Sequence, residues 1–260
     1  MKSIILCEGE TDQIILSYYF QKMYNYHYDE EKTKNFNNSP QNGIICSYTQ
    51  IISKGKKTIE NELVIWAVGG RNRLSERLNY ILTQNKMDAD CYYERIIIMS
   101  DKDSEEESTE IWRGIKKIIT EKCEKKVSFK ENEWFLGKQT TSFNEIKSIN
   151  FLTLNIPTDG PGSLETFLLN ALKEQGQADK YVAEQAIKFV KKLIENQHKL
   201  ENKYLNKRRD CIKAPLAVYF AIISPEHIFK KMDPILKKIP WENYTTIQKG
   251  FEQFYCFLEK

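Results

Sequence analysis

The chain has 260 residues, of which 41% are hydrophobic and 12% aromatic, enough apolar material to bury the core of a large domain and too much for a disordered chain. Its net charge of +3 is unevenly placed: residues 1–175 carry 23 Lys plus Arg against 26 Asp plus Glu, a net of −3, and residues 176–260 carry 16 against 10, a net of +6. Six scattered cysteines with no C-x-x-C pair argue against a zinc site or a disulfide framework, and a His-based device would need the fold to gather His27, His198 and His227. No apolar run approaches the ~18 residues of a membrane span, and "MKSIIL" reaches Glu8 too soon for a signal peptide, so a soluble, cytoplasmic protein is expected.

The first predicted element is a strand, Ser3–Cys7, followed by a helix over Thr11–Met23. Residues 25–61 break this rhythm; they hold a polar, Asn-rich patch at 34–42 that reads as a mobile loop, and "GIICSYTQII", an inserted strand or hairpin. Strands at Leu63–Val68, Arg95–Met99 and Phe151–Ile156 follow, each with a helix behind it: Asn72–Gln84, Ser104–Cys123 and Ser163–Lys173. All four strands are rich in Ile, Val and Leu without period-two alternation, the pattern of a parallel sheet covered on both faces. Beyond residue 175 only helices are expected, near Ala178–Leu205, Asp210–Ile223, Glu226–Leu236 and Thr245–Leu258, punctuated by Pro215, Pro225, Pro234 and Pro240. The expected fold class is α/β, an open parallel sheet of about four strands flanked by helices and followed by an all-helical C-terminal segment. Two regions are expected, 1–175 with an insertion at about 25–61, and the basic 176–260.

In such a sheet, functional groups gather at the carboxyl ends of the strands. Here the first strand ends at Glu8, with Asp12 in the next helical turn; "RIIIMSDKD" ends at Asp101 and Asp103; and Asp159 and Glu165 follow the fourth strand. Asp101 and Asp103, two apart in extended backbone, leave on one face, and Lys102 on the other. Clustered carboxylates raise one another's pKa, and a divalent cation removes that cost. Each acid also has a structural reading. Thr11 and Asp12 suit a helix start, "SDKDSEEES" suits a solvated acidic helix entry, and Glu165 suits a capping box with Ser163 as cap. A Lys-rich helix is most often a solvated face. "SKGKKT" lacks the upstream glycine and feeding strand of a phosphate-binding loop, and "VGGRNR" is no G-x-G-x-x-G.

Taken in order, "CEGETD" (Glu8, Gly9, Asp12), Gly69–Gly70 and "SDKD" (Asp101, Asp103) resemble the motifs of the Toprim family, the catalytic domain of topoisomerases, bacterial primases, OLD-family nucleases and small ribosomal-RNA maturases. The E-G-x-x-D form is nearest to the OLD-like and maturase branches, and the resemblance covers about residues 1–170. It implies a Rossmannoid Toprim-like sheet and a magnesium- or manganese-dependent nuclease with two ions held by Glu8, Asp12, Asp101, Asp103 and Glu165. Glu165 in "GSLETF" resembles the later acid of the OLD-like branch. Lys213 in "IKAPLAVYFA" resembles its catalytic lysine, with Lys207 in "NKRRD" as a competitor. Glu8 is then either ligand or general base. Nucleic acid is the implied partner, with Lys191, Lys192, Lys203, Arg208 and Arg209 as phosphate contacts. The ATPase of OLD proteins is absent here, which leaves open a separate ABC/SMC-like ATPase subunit, as in some anti-phage defence systems, or none. Pairing with a second copy is also left open. The competing functions are nucleotidyl transfer of the primase kind and a non-catalytic nucleic-acid-binding subunit.

Overall fold

The computed structural model describes residues 1–37, 43–54, 57–87, 92–102, 105–124, 128–201, 203–227 and 233–257. Among them the order is β1 (Lys2–Cys7), α1 (Glu10–Tyr24), β2 (His27–Asp29), α2 (Glu30–Asn37), β3 (Ile44–Lys54), β4 (Lys57–Ala67), α3 (Arg73–Met87), β5 (Arg95–Asp101), α4 (Glu105–Lys122), β6 (Trp134–Thr140) and β7 (Ile146–Ile156). Helices follow: α5 (Leu164–Leu172), α6 (Gln177–Glu195), α7 (Arg208–Ile223), α8 (Asp233–Leu236) and α9 (Thr245–Gly250), with short 3-10 turns between and after them. The protein is α/β. Its described sheet has seven strands in the order β2-β3-β4-β1-β5-β7-β6, not about four. The four expected strands are its parallel centre, β4-β1-β5-β7, and β2, β3 and β6 extend it through antiparallel pairs.

Of the three further strands, β3 falls on the expected inserted segment "GIICSYTQII", whereas β2 and β6 escape the hydrophobic pattern. On β6 the inward positions are Phe135, Gly137 and Gln139. Gly137 leaves room for the Phe151 ring, and Gln139 donates its amide nitrogen to the carbonyls of Leu82 and Lys122, which gives a polar side chain a place at an inward position. Similarly, β4 begins at Lys57 because its first four residues are exposed and pair only with β3. Within 25–61 the described residues form β2, α2, β3 and the start of β4; of the expected loop at 34–42, residues 34–37 are the last turn of α2 and 38–42 lie outside the described residues. Pro215 lies inside α7 and does not end it.

Pleating sorts the central strands between two cores. Ile5 lies opposite Ile65 and Ile97, and Ile97 opposite Leu152; these face one core with α1, α5, α7 and α9. Their neighbours Leu6, Trp66 and Ile98 face a second core closed by α3 and α4. The helices after residue 176 share the first core, where Tyr19 meets Phe251 at 4.9 Å between ring centroids and Phe20 meets Phe254 at 5.2 Å. Each fully buried aromatic stabilises by about 1.5–3 kcal/mol, so this wall ties the C-terminal helices to α1.

Consequently α1 leaves β1 toward the first face, whereas α3 and α4 leave the flanking β4 and β5 toward the second. The chain therefore diverges at the carboxyl end of β1. Such a divergence opens a crevice, the usual ligand position in open α/β sheets.

Candidate functional site

Glu8 stands at that divergence. Its Oε1 accepts three hydrogen bonds: from the Ser100 hydroxyl at 2.6 Å, the Asp101 backbone N–H at 2.9 Å and Arg71 Nε at 3.2 Å. Its backbone carbonyl accepts the N–H groups of Gly69 at 3.1 Å and Gly70 at 2.8 Å. Those glycines have φ of +84° and +128°, a region that side-chain-bearing residues rarely adopt, so the turn after β4 needs them. Arg71, next in the chain, also donates from Nη2 to the Asp101 carbonyl at 3.2 Å. One guanidinium thus joins the end of β4 to the ends of β1 and β5.

Asp12 lies in the first turn of α1 and accepts the Gly9 N–H on Oδ2 at 2.8 Å, so its structural reading as a helix-start acid holds for one oxygen. It is only 8% exposed. Burial, and next the charge of Glu8, push its carboxyl above the usual carboxylate range. Asp101 ends β5 and accepts the Leu164 N–H at the start of α5, at 2.8 Å. Burial, followed by Asp12 and Glu8, pushes it up as well.

Ser163 caps α5 by accepting the Thr166 N–H at 3.4 Å. Thr166, not Glu165, therefore occupies the third helical position. The Glu165 carboxylate, also 8% exposed, pairs instead with Lys213 Nζ, which reaches across from α7. Burial alone would raise Glu165, but its hydrogen bond and charge contact with Lys213 outweigh this and hold the carboxyl below its ordinary value.

These groups line one cleft of about 780 Å³. Its floor and walls bring five carboxylates (Glu8, Glu10, Asp12, Asp101, Glu165) and four cations (Arg71, Arg208, Arg209, Lys213) to the amino-terminal turns of α1, α5 and α7. Helix amino ends carry partial positive charge and spare N–H groups, so the cleft offers anion-binding edges around an acidic floor.

Of the residues expected from sequence, Glu8, Asp12, Asp101, Glu165 and Lys213 meet in this cleft, with Arg208 and Arg209 beside them. Asp103 lies outside the described residues. Lys207 is the N-cap residue of α7, and it and the exposed Asp159 are not among the cleft-lining residues. Neither are Lys191 and Lys192 on α6, nor Lys203. Arg71 was missed by the sequence reading; the signal was an arginine directly after the Gly-Gly turn at a strand's carboxyl end.

Among the described residues no three His, Cys, Asp or Glu side chains are disposed around one point as metal ligands. The reason is visible in the bonds: Glu165 is turned to Lys213, and one oxygen each of Glu8, Asp12 and Asp101 is taken by protein donors. The chemistry of the set nevertheless suits a hard divalent cation. All its donors are carboxylate oxygens, and burial first, then the neighbouring carboxylates, raise Asp12 and Asp101.

The sequence profile described as "Protein of unknown function (DUF3226)" matches residues 2–232. The chain belongs to the DUF3226 family. No curated protein matches this DUF3226 chain. Among solved structures it is similar to the crystal structure of hypothetical protein PH0156 from Pyrococcus horikoshii OT3, at 16% identity and a TM-score of 0.49, over 99% of this chain and 93% of that one.

Proposed function

We propose that this DUF3226 protein is a Toprim-like, divalent-metal-dependent nuclease that cleaves phosphodiester bonds in DNA or RNA. The observation that carries the reading is convergence: four carboxylates from three separate segments, Glu8 and Asp12, Asp101, and Glu165, share one cleft with Arg208, Arg209 and Lys213. Capping alone explains one oxygen on Asp12; it does not explain why the acids of β1, β5 and α5 face one another.

In this reading Glu8, Asp12 and Asp101 would hold Mg²⁺ or Mn²⁺, with Glu165, and with Asp103 added by the motif. Bound there, the ions would supply an activated water and charge stabilisation of the leaving oxygen. The chain's own part is positional. Ser100, the Asp101 N–H and Arg71 fix the Glu8 carboxylate, and Gly9 fixes Asp12. Lys213 neutralises charge growing on the phosphoryl oxygens, and Arg208, Arg209 and the helix amino ends hold flanking phosphates. A separate ATPase subunit would act on this centre from outside. Plasmid, linear DNA and structured RNA incubated with Mg²⁺ or Mn²⁺, with and without an ATPase encoded beside it, test the proposal. Metal-dependent cleavage lost in Glu8→Ala and Asp101→Ala supports it; cleavage undiminished in both variants sinks it.

A further inference from the structure

We propose that the cleft admits nucleic acid only as a single strand, unpaired where it reaches the carboxylates and led in past Tyr204 and the first turn of α7. The inference rests on the nuclease reading and adds the substrate's form.

Depth is the first argument. Asp12 and Glu165 are each 8% exposed, on the floor of a recess of about 780 Å³, with the first turns of α1, α5 and α7 around them. That volume falls in the range of about 300–1,000 Å³ that encloses a compact ligand. A duplex carries its phosphates on a stiff cylinder, and it can turn one of them into such a recess only through a local deformation that costs free energy. A single strand has the torsional freedom to do so.

The approach to the recess is the second argument. Arg208 and Arg209 are exposed on the cleft side of α7. Four residues before Arg208, Tyr204 is 60% exposed and carries Lys203 Nζ 5.3 Å from its ring centroid. Four residues span at most about 14 Å, so the backbone of Tyr204 lies within that reach of Arg208, which lines the cleft. The residue after Tyr204 is held: the Leu205 carbonyl accepts from Gln197 Nε2 at 2.7 Å and from the Cys211 thiol at 3.1 Å. Leu205 itself has φ +52°, uncommon for a bulky residue, beside a ring left in solvent. An exposed aromatic among cations is how proteins bind single strands, the ring stacking on an unpaired base while Lys and Arg follow the backbone. A duplex has no unstacked base to offer. Among the described residues no aromatic side chain lines the cleft itself, so Tyr204 is the ring nearest in sequence to its α7 wall.

The test is fluorescence anisotropy with the full chain in chelator, using labelled single-stranded DNA, single-stranded RNA and a blunt duplex of the same sequence at one salt concentration. We expect a single strand to bind at least about tenfold more tightly than the duplex. Tyr204→Ala should weaken single-strand binding by about tenfold, and Tyr204→Phe, which keeps the ring, should not. Equal or tighter duplex binding, no binding of any strand, or an unchanged Tyr204→Ala overturns the inference. A cleavage arm with Mn²⁺ separates the two proposals. If a blunt duplex is cut as fast as the single strand, the nuclease reading stands and this inference falls. If single strands bind as expected and nothing is cut, the nuclease reading falls and the binding mode stands.

Discussion

The backbone N–H of Asp101 donates to Oε1 of Glu8 across 2.9 Å, so the last residue of β5 orients the carboxylate at the end of β1, 93 positions away in the chain. Glu8→Ala removes the common acceptor of that N–H, the Ser100 hydroxyl and Arg71. Leaving partly buried donors unpaired costs about 1–3 kcal/mol, so a lower urea midpoint should accompany the loss of cleavage. Glu8→Gln keeps an acceptor oxygen and should hold most of that stability while still losing at least about 100-fold in cleavage rate. A Gln variant that cuts like the wild type would remove Glu8 from the site.

Arg71 acts through Glu8 and the Asp101 carbonyl, and both it and Glu8 have side chains under one-fifth exposed (16% and 17%). In the proposed nuclease it is a positioning residue. Arg71→Ala should lower kcat by about tenfold to 100-fold with little change in KM, because a misplaced carboxylate costs rate more than binding. Added guanidinium should restore part of the rate to Arg71→Ala but none to Glu8→Ala. A KM increase with kcat unchanged would make Arg71 a phosphate contact instead.

The raised Asp12 and Asp101 give a pH dependence of definite sign. A carboxyl with higher proton affinity in the folded chain binds more protons folded than unfolded, so it makes stability fall as pH climbs above its unfolded value of about 4. Glu165, held low by Lys213, acts oppositely, its contribution fading only as pH drops through the acidic carboxylate range. In chelator, therefore, Tm should decrease between about pH 5 and pH 8. Mn²⁺ or Mg²⁺, which take the ionised form, should raise Tm more at the upper pH, and Asp101→Asn should flatten both trends. Identical melting curves with and without Mn²⁺ at about pH 8 would argue that the cluster holds no ion.

Lys213 and Lys207 are six residues apart, but only Lys213 reaches an acid of the cleft. Lys213→Ala should cost at least about 100-fold in kcat, whereas Lys207→Ala should stay within about twofold. In Lys213→Ala the Glu165 carboxyl loses its counter-charge while remaining buried, so it should titrate higher than in the wild type, which carboxyl NMR reads directly. The opposite ranking of the two variants would transfer the role to Lys207.

Gly250 on α9 packs against α5, the helix that presents Glu165. A Cβ there would lie 2.4 Å from Cζ of the buried Phe167 ring. Gly250→Ala should therefore destabilise by about 1–3 kcal/mol in urea unfolding. Cleavage should fall as well, because α5 must shift to make room. Unchanged stability would show that α9 is not tightly seated on α5.

The sequence alone determined which segments are strands of the parallel centre, because a strand covered on both faces must be apolar at every position and little else writes that pattern. It also determined the acids, since Glu8, Asp12, Asp101 and Glu165 each follow a strand end or open a helix, and those positions are local. Tertiary structure decided the rest. The order β4-β1-β5-β7, which puts Glu8 between its neighbours' turns, depends on pairings between segments far apart in the chain. On β6, Gly137 and Gln139 replace apolar residues because one neighbouring ring and two carbonyls suit them, and no local rule contains those neighbours. Arg71 owes its role to reaching two strand ends at once, and Lys213 owes its own to α7 folding back over α5. A charge is set by the charges that the fold places opposite it, and for Glu165 and Glu8 those partners, Lys213 and Arg71, lie 48 and 63 residues away.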